Sequence, residues 1–229
     1  MTSSINQVLP SLNTINRLEK DKDKEQEKLA SGLRINSAAD DPAGLQIASR
    51  LTAERNGAQQ LSYNSQDKIN QNNIQSGRLS AINEGLQRAN ELSIQAANPL
   101  SDNSAIQSEL NQLSEQINTV ASEVFGTNNF ISGLDATAPA ASQQAIADAN
   151  DSVNNLATMS GAESNALSNQ VSSYQTQVIN TTSARSRIQD TDFSSTTAQQ
   201  QKNELLLQSA VTSKKDEETR KGLLINQLI

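Results

Sequence analysis

The stretch Ser104-Ala-Ile-Gln-Ser-Glu-Leu-Asn-Gln-Leu-Ser-Glu-Gln-Ile-Asn-Thr-Val-Ala-Ser-Glu-Val124 decides the fold. Its apolar residues Ile106, Leu110, Leu113, Ile117, Val120 and Val124 fall at steps of 4, 3, 4, 3 and 4. That spacing keeps all six on one side of an α-helix, whereas a strand would need alternation. At about 1.5 Å per residue the helix is about 30 Å long. Asp102, Ser101 or Ser104 can cap its start. The six residues read as the core seam of a helical bundle.

Working outward, Pro99 disfavours helix in the residue before it, so an earlier helix must end there. That helix reads as about 43–97, with Pro42 at its first turn and Asp40 or Asp41 as cap. Its apolar positions are sparse, and 62–77 is rich in Asn and Gln, so small and polar residues must do part of the packing. Downstream, Phe125-Gly-Thr-Asn-Asn-Phe-Ile-Ser-Gly-Leu134 loses the helical period and carries turn residues. A small β-hairpin or a loop is expected near 126–140. A third helical stretch carries Ile146, Val153, Leu156, Leu167, Val171, Tyr174, Val178, Ala184 and Ile188, with Gly161 as a candidate irregularity. The fold class is therefore mainly α: long antiparallel helices in a coiled-coil-like bundle.

Composition narrows the function. Two tyrosines, three phenylalanines and no tryptophan leave little to fill a wide core, which favours an elongated molecule with a narrow one. The absence of His and Cys removes imidazole bases, thiolate nucleophiles, disulfides and most zinc chemistry. Glu84, Glu91, Glu109, Glu115 and Glu123 lack catalytic companions, so no enzyme, cofactor or metal site is expected. A net charge of -7 disfavours nucleic acid. No apolar run is long enough for a membrane span. The start, Met1-Thr-Ser-Ser-Ile-Asn-Gln7, lacks the basic and apolar regions of a secretory signal, so export would proceed without a cleaved signal peptide.

The ends have their own texture. Ile5, Val8, Leu9, Leu12, Ile15 and Leu18 form an apolar stripe. Leu205, Leu206, Leu207, Ala210 and Val211, and then Leu223, Leu224, Ile225, Leu228 and Ile229, do the same at the other end. Short amphipathic helices are marginal alone. Both ends are expected to fold when an apolar face is covered, by each other or by neighbouring copies. The charged run Glu19–Lys28 lies between the first stripe and the bundle, and the charged run Lys214–Lys221 between the two stripes of the other end. The apolar ends lack flanks of one sign that anionic lipids would attract, which argues against a membrane-active protein.

Leu29-Ala-Ser-Gly-Leu-Arg-Ile-Asn-Ser-Ala-Ala-Asp-Asp-Pro-Ala-Gly-Leu-Gln-Ile-Ala48 resembles the N-terminal signature of bacterial flagellins. Ser183-Ala-Arg-Ser-Arg-Ile-Gln-Asp-Thr-Asp-Phe193 resembles their C-terminal signature. The resemblance implies a structural filament subunit with a terminal-helix domain (1–35 plus 195–229) forming the inner tube. It implies a helical shell domain at 36–194 and no variable outer domain; a hook–filament junction protein of the same architecture is the alternative. The polymerisation residues would be Ile5, Val8, Leu9, Leu12, Ile15, Leu18, Leu223, Leu224, Ile225 and Leu228. Implied partners are other copies of the chain, an export chaperone, and cap and junction proteins, in an extracellular flagellum. Leu86-Gln-Arg-Ala-Asn-Glu-Leu92 is similar to the patch read by the flagellin-sensing Toll-like receptor of animals, implying contacts by Arg88, Leu92 and Glu109. In the signatures, Gly32 can end the first helix, and Arg34, Asp40 and Asp41 are expected to exchange charge-assisted bonds with Arg185, Arg187, Asp190 and Asp192.

Overall fold

The structure, a computed structural model, describes the backbone of residues 5–226 and the side chains of 12–220. Among the described residues there are five helices and no strand: α1 (Ile5–Ser31), α2 (Pro42–Ala96), α3 (Asn103–Phe125), α4 (Pro139–Gln189) and α5 (Phe193–Asn226). None of them is long and apolar enough to cross a membrane. The chain divides into two compact units, Met1–Asn56 with Val178–Ile229, and Gly57–Gln177, the divisions falling within α2 and α4.

The second unit is built around α3. Asp102 caps it by accepting from the Ser104 and Ala105 amides, and Gly126 ends it in the left-handed region at φ 70°. Ile106, Leu110 and Ile117 are buried, while Leu113, Val120 and Val124 are half-buried against the same core. Ala121, which apolar spacing passes over, is fully buried. The deep line of the helix therefore runs 106, 110, 117, 121, on one edge of the heptad seam. Close approach explains the displacement. A Cβ on Gly85 of α2 would stand 2.8 Å from the Ile117 side chain, so the two helices meet where one has no side chain.

On α2 within this unit, Ala58, Ser65, Asn72, Leu79, Leu86 and Ser93 are all buried, one every seven residues. Only half of these are apolar, which is why apolar spacing alone shows so little of the repeat. In the polar middle, the Asn72 amide donates to Glu163 Oε2 and to Ser164 Oγ of α4, both at 3.2 Å. A buried amide that finds partners at one position only is a device for setting register. On α4, Ile146, Ala149, Val153, Leu156, Ser160, Ser164, Leu167, Val171 and Tyr174 are all at least partly buried, at steps of three or four. The helix runs without a break through Gly161.

The hairpin considered for 126–140 does not form; the segment is a loop, and its backbone is satisfied by side chains of α3. Asn118 donates to the Ile131 carbonyl at 2.8 Å and accepts from the Ile131 amide at 2.9 Å. Gln107 donates to the Leu134 carbonyl at 2.9 Å and accepts from the Ala136 amide at 2.8 Å. Each amide side chain does what a paired strand would do, so no second strand is needed. Gln107 and Asn118 are eleven residues apart, about three turns, and so share a face. With its backbone held, the loop buries Ile131, Leu134 and Ala136 in the core. Ser142 closes the segment, its hydroxyl accepting from the Asp135 amide and donating to the Asp135 carbonyl.

Two truncations on α3 test where the seam lies. Leu110→Ala should cost about 2–5 kcal/mol of unfolding free energy. Leu113→Ala should cost clearly less, because its side chain is already part-exposed. Urea melts of both variants measure this, and equal losses would contradict the displaced seam.

Candidate assembly interface

The two signature stretches meet. α1 ends because Gly32 takes φ +71°, with its amide bonded to the Lys28 carbonyl at 2.9 Å. The chain then pairs across: Arg34 N donates to Gln189 O at 2.6 Å, Thr191 N donates to Gly32 O at 3.0 Å, and Leu33 and Asp190 form an antiparallel bridge. The Arg34 guanidinium donates to the Ile188 carbonyl, and the Gln189 amide side chain to the Ile35 carbonyl. This corrects the expected chemistry. The contact is between backbones and carbonyls, and among the described residues no salt bridge joins the two stretches.

The aspartates are occupied as caps. Asp41 accepts from the Gly44 amide at 2.9 Å, and Asp192 from the amides of Ser194 and Ser195. Asp40 Oδ2 accepts from the Asn36 and Ser37 amides and the Ser37 hydroxyl. Those hydrogen bonds, first from the Ser37 backbone and then from Asn36, hold its carboxyl below the usual carboxylate range, with a smaller contribution from Lys24. Gly44 is required on space: an added Cβ would stand 2.6 Å from Ile35 Cδ1 and 2.5 Å from Asp41 Oδ2.

From this junction α1 and α5 run back antiparallel and pack against each other. On α1 the covered positions are Leu12, Ile15, Leu18, Lys22, Glu25 and Leu29; on α5 they are Thr196, Gln200, Asn203, Leu207, Ala210 and Lys214. Both series step by threes and fours, so the charged run of α1 continues the apolar stripe as one heptad seam. The seam is apolar toward the chain ends and polar toward the junction. Leu205 and Leu206 lie off it and are 67% and 46% exposed, and Val211 is also exposed.

The candidate residues distribute as follows. Leu12, Ile15 and Leu18 face α5 within the chain. The side chains of Ile5, Val8, Leu9, Leu223, Leu224 and Ile225, and all of Leu228, lie outside the described residues. Arg88 is exposed and donates to Glu109 Oε1 through Nε and Nη2, at 3.0 and 2.8 Å, and to Glu91 at 3.2 Å. Leu92 is only 2% exposed and belongs to the core. Arg88 and Glu109 thus share a surface that Leu92 does not, because Leu92 falls on the inner side of α2 with Ala89 and Ala96. Apolar spacing does not single out Gln107 and Asn118. The signal for them is the polar series Gln107, Asn111, Ser114 and Asn118 at steps of 4, 3 and 4 along the flank of the seam.

The Asp40 cap gives a pH dependence with a definite sign. Its carboxyl titrates lower in the folded chain than in an unfolded one, so the ionised form favours folding. That contribution is complete above the ordinary range near pH ~4 and is lost as pH falls through the folded value. Wild type should therefore lose stability faster than Asp40→Asn below pH ~4, measured by thermal melts. Parallel curves would show that the cap does not depend on charge.

The bacterial flagellin N-terminal helical region matches residues 4–136, more than half of the chain. A flagellin of Clostridium tyrobutyricum is 41% identical over 114 residues, which cover 48% of this chain and 30% of that protein. Flagellin 1 of Proteus mirabilis is 44% identical over 100 residues, covering 42% and 27%. A flagellin of Salmonella dublin is 43% identical over 114 residues, covering 48% and 23%. The matched stretch spans less than a third of the length of these curated relatives. With its N-terminal signature folded into the Gly32 cap, the Leu33–Asp190 bridge and the Asp41 cap, the chain belongs to the bacterial flagellin family.

Proposed function

We propose that the chain is a non-catalytic structural subunit of a bacterial flagellar filament, working outside the cell by joining copies of itself. The observation that carries this reading is the division of α5. Leu207 and Ala210 are used against α1, while Leu205, Leu206 and Val211 remain exposed. Single exposed apolar residues are ordinary, but Leu205 and Leu206 stand next to each other and line one open groove on α5 with Ala198, Gln201 and Lys202, a surface that gains from cover, while Val211 lies on another side of the helix. A second copy supplies it, and the contact is between different faces, the kind that propagates into helical filaments. In this reading 1–35 with 195–229 forms the inner tube and 36–194 the shell. Export chaperone, cap and junction proteins act on the same chain ends.

Electron microscopy of purified protein seeded with its own sheared fragments tests the reading, and long filaments of uniform diameter are expected. Leu205→Ser with Leu206→Ser should leave monomer stability within about 0.5 kcal/mol, as for surface changes, yet prevent elongation. Deleting 1–18 or 223–229 should likewise prevent elongation. Normal filaments from these variants would overturn the assignment of the surface.

A further inference from the structure

Two glycines stand deep inside long helices without a local reason. An added Cβ on Gly77 of α2 or Gly161 of α4 would meet nothing within 4 Å, and neither residue takes a positive φ. Gly85, by contrast, is kept small by the Ile117 side chain. Glycine weakens a helix interior relative to alanine, so both positions give up helix stability that the packing does not ask for. Each follows a serine, Ser76 or Ser160, and Gly/Ser pairs are a common place for helices to kink. The two pairs also stand at one level. Asn72 of α2 bonds Glu163 and Ser164 of α4, and from that contact toward the apolar core the numbering rises on α2 and falls on α4. The helices are therefore antiparallel here, and Ser76-Gly77 lies level with Ser160-Gly161 to within about one turn.

The packing changes at the same level. The core cluster draws its α2 and α4 residues from 79–96 and 145–156. Beyond it, in 57–78 and 157–177, no apolar residue larger than alanine is buried among the described residues; the buried side chains are Ala58, Ser65, Asn72 and Ser160. Polar contacts of this kind exchange for bonds to water at little net cost, whereas exposing apolar area is unfavourable. We propose that Ser76-Gly77 and Ser160-Gly161 form a two-helix hinge. The polar section bends at this level while the apolar core stays folded, and the Asn72 amide latches the unbent form through Glu163 and Ser164. The hinge belongs to the single chain and works whether or not copies assemble. Under load it takes up bending in contacts that water can replace and spares the core.

Two readouts on the full chain test the hinge. In hydrogen exchange resolved by peptide, amides at 74–81 and 159–165 should exchange at least about tenfold faster than those at 86–93 and 106–121. Gly77→Ala with Gly161→Ala should slow the first group about tenfold, because alanine favours helix at both positions. Both sites have room for the added methyl, so the variant keeps the wild-type fold. The chain has no cysteine, so spin labels carried on Gln60→Cys and Asn90→Cys, both exposed on α2 on either side of Gly77, report bending directly. Wild type should give a broad distance distribution, and the alanine variant a narrow one near the straight-helix value of about 45 Å. Exchange at the two Ser-Gly pairs as slow as in the core, or a single narrow distance in wild type, overturns the hinge. So does an alanine variant that exchanges and bends as wild type does, which would make the two glycines incidental.

Discussion

The antiparallel bridge between Leu33 and Asp190 is the constraint on which the first unit depends. It joins segments more than 150 residues apart, a closure that costs several kcal/mol of chain entropy. A short run of backbone bonds does not offset that alone. The helix pairing that the bridge makes possible does offset it. Once Gly32 has stopped α1 and the bridge has placed the start of α5 beside it, two helices that are marginal singly share one seam. The pattern of caps is consistent with this order. Asp41 and Asp192 start the helices on either side of the crossing, and Gly44 leaves space for Ile35 to be buried between them.

Legibility in the sequence tracks how far each feature depends on local chemistry. The α3 helix and its ends are readable because heptad spacing, Asp102 and Gly126 are all local. The depth of each residue is not, since Ala121 is deeper than Leu113, and the close approach of α2 at Gly85 is made to Ile117, on the same line as Ala121. The same blindness to small residues hides the repeat on α2, where Ala58, Ser65 and Asn72 hold the positions that Leu79 and Leu86 hold further on. The loop at 126–138 carries hairpin-like turn residues, and only the amides of Gln107 and Asn118 decide that it needs no partner strand. At the signatures the error is one of chemistry. Arg and Asp in facing stretches suggest ion pairs, whereas the aspartates cap helices and Arg34 binds a carbonyl.

Burial also separates residues that a motif groups together. Arg88 and Leu92 are four apart, a spacing that suggests a shared face, but a four-residue step turns the helix by about 40°. That is enough to carry one side chain into the core while the other stays in water, held by Glu109. The surface presented by any stretch of α2 is therefore set by the phase of its buried positions, not by the spacing of the residues of interest.

Phase likewise accounts for the charge that α1 tolerates. A heptad seam covers only about two positions in seven. On α1 those positions accept Lys22 and Glu25 because long side chains can lay their methylene stems along a partner while their heads reach water. The cost is a weaker seam near the junction, where Thr196, Gln200 and Asn203 add little apolar area.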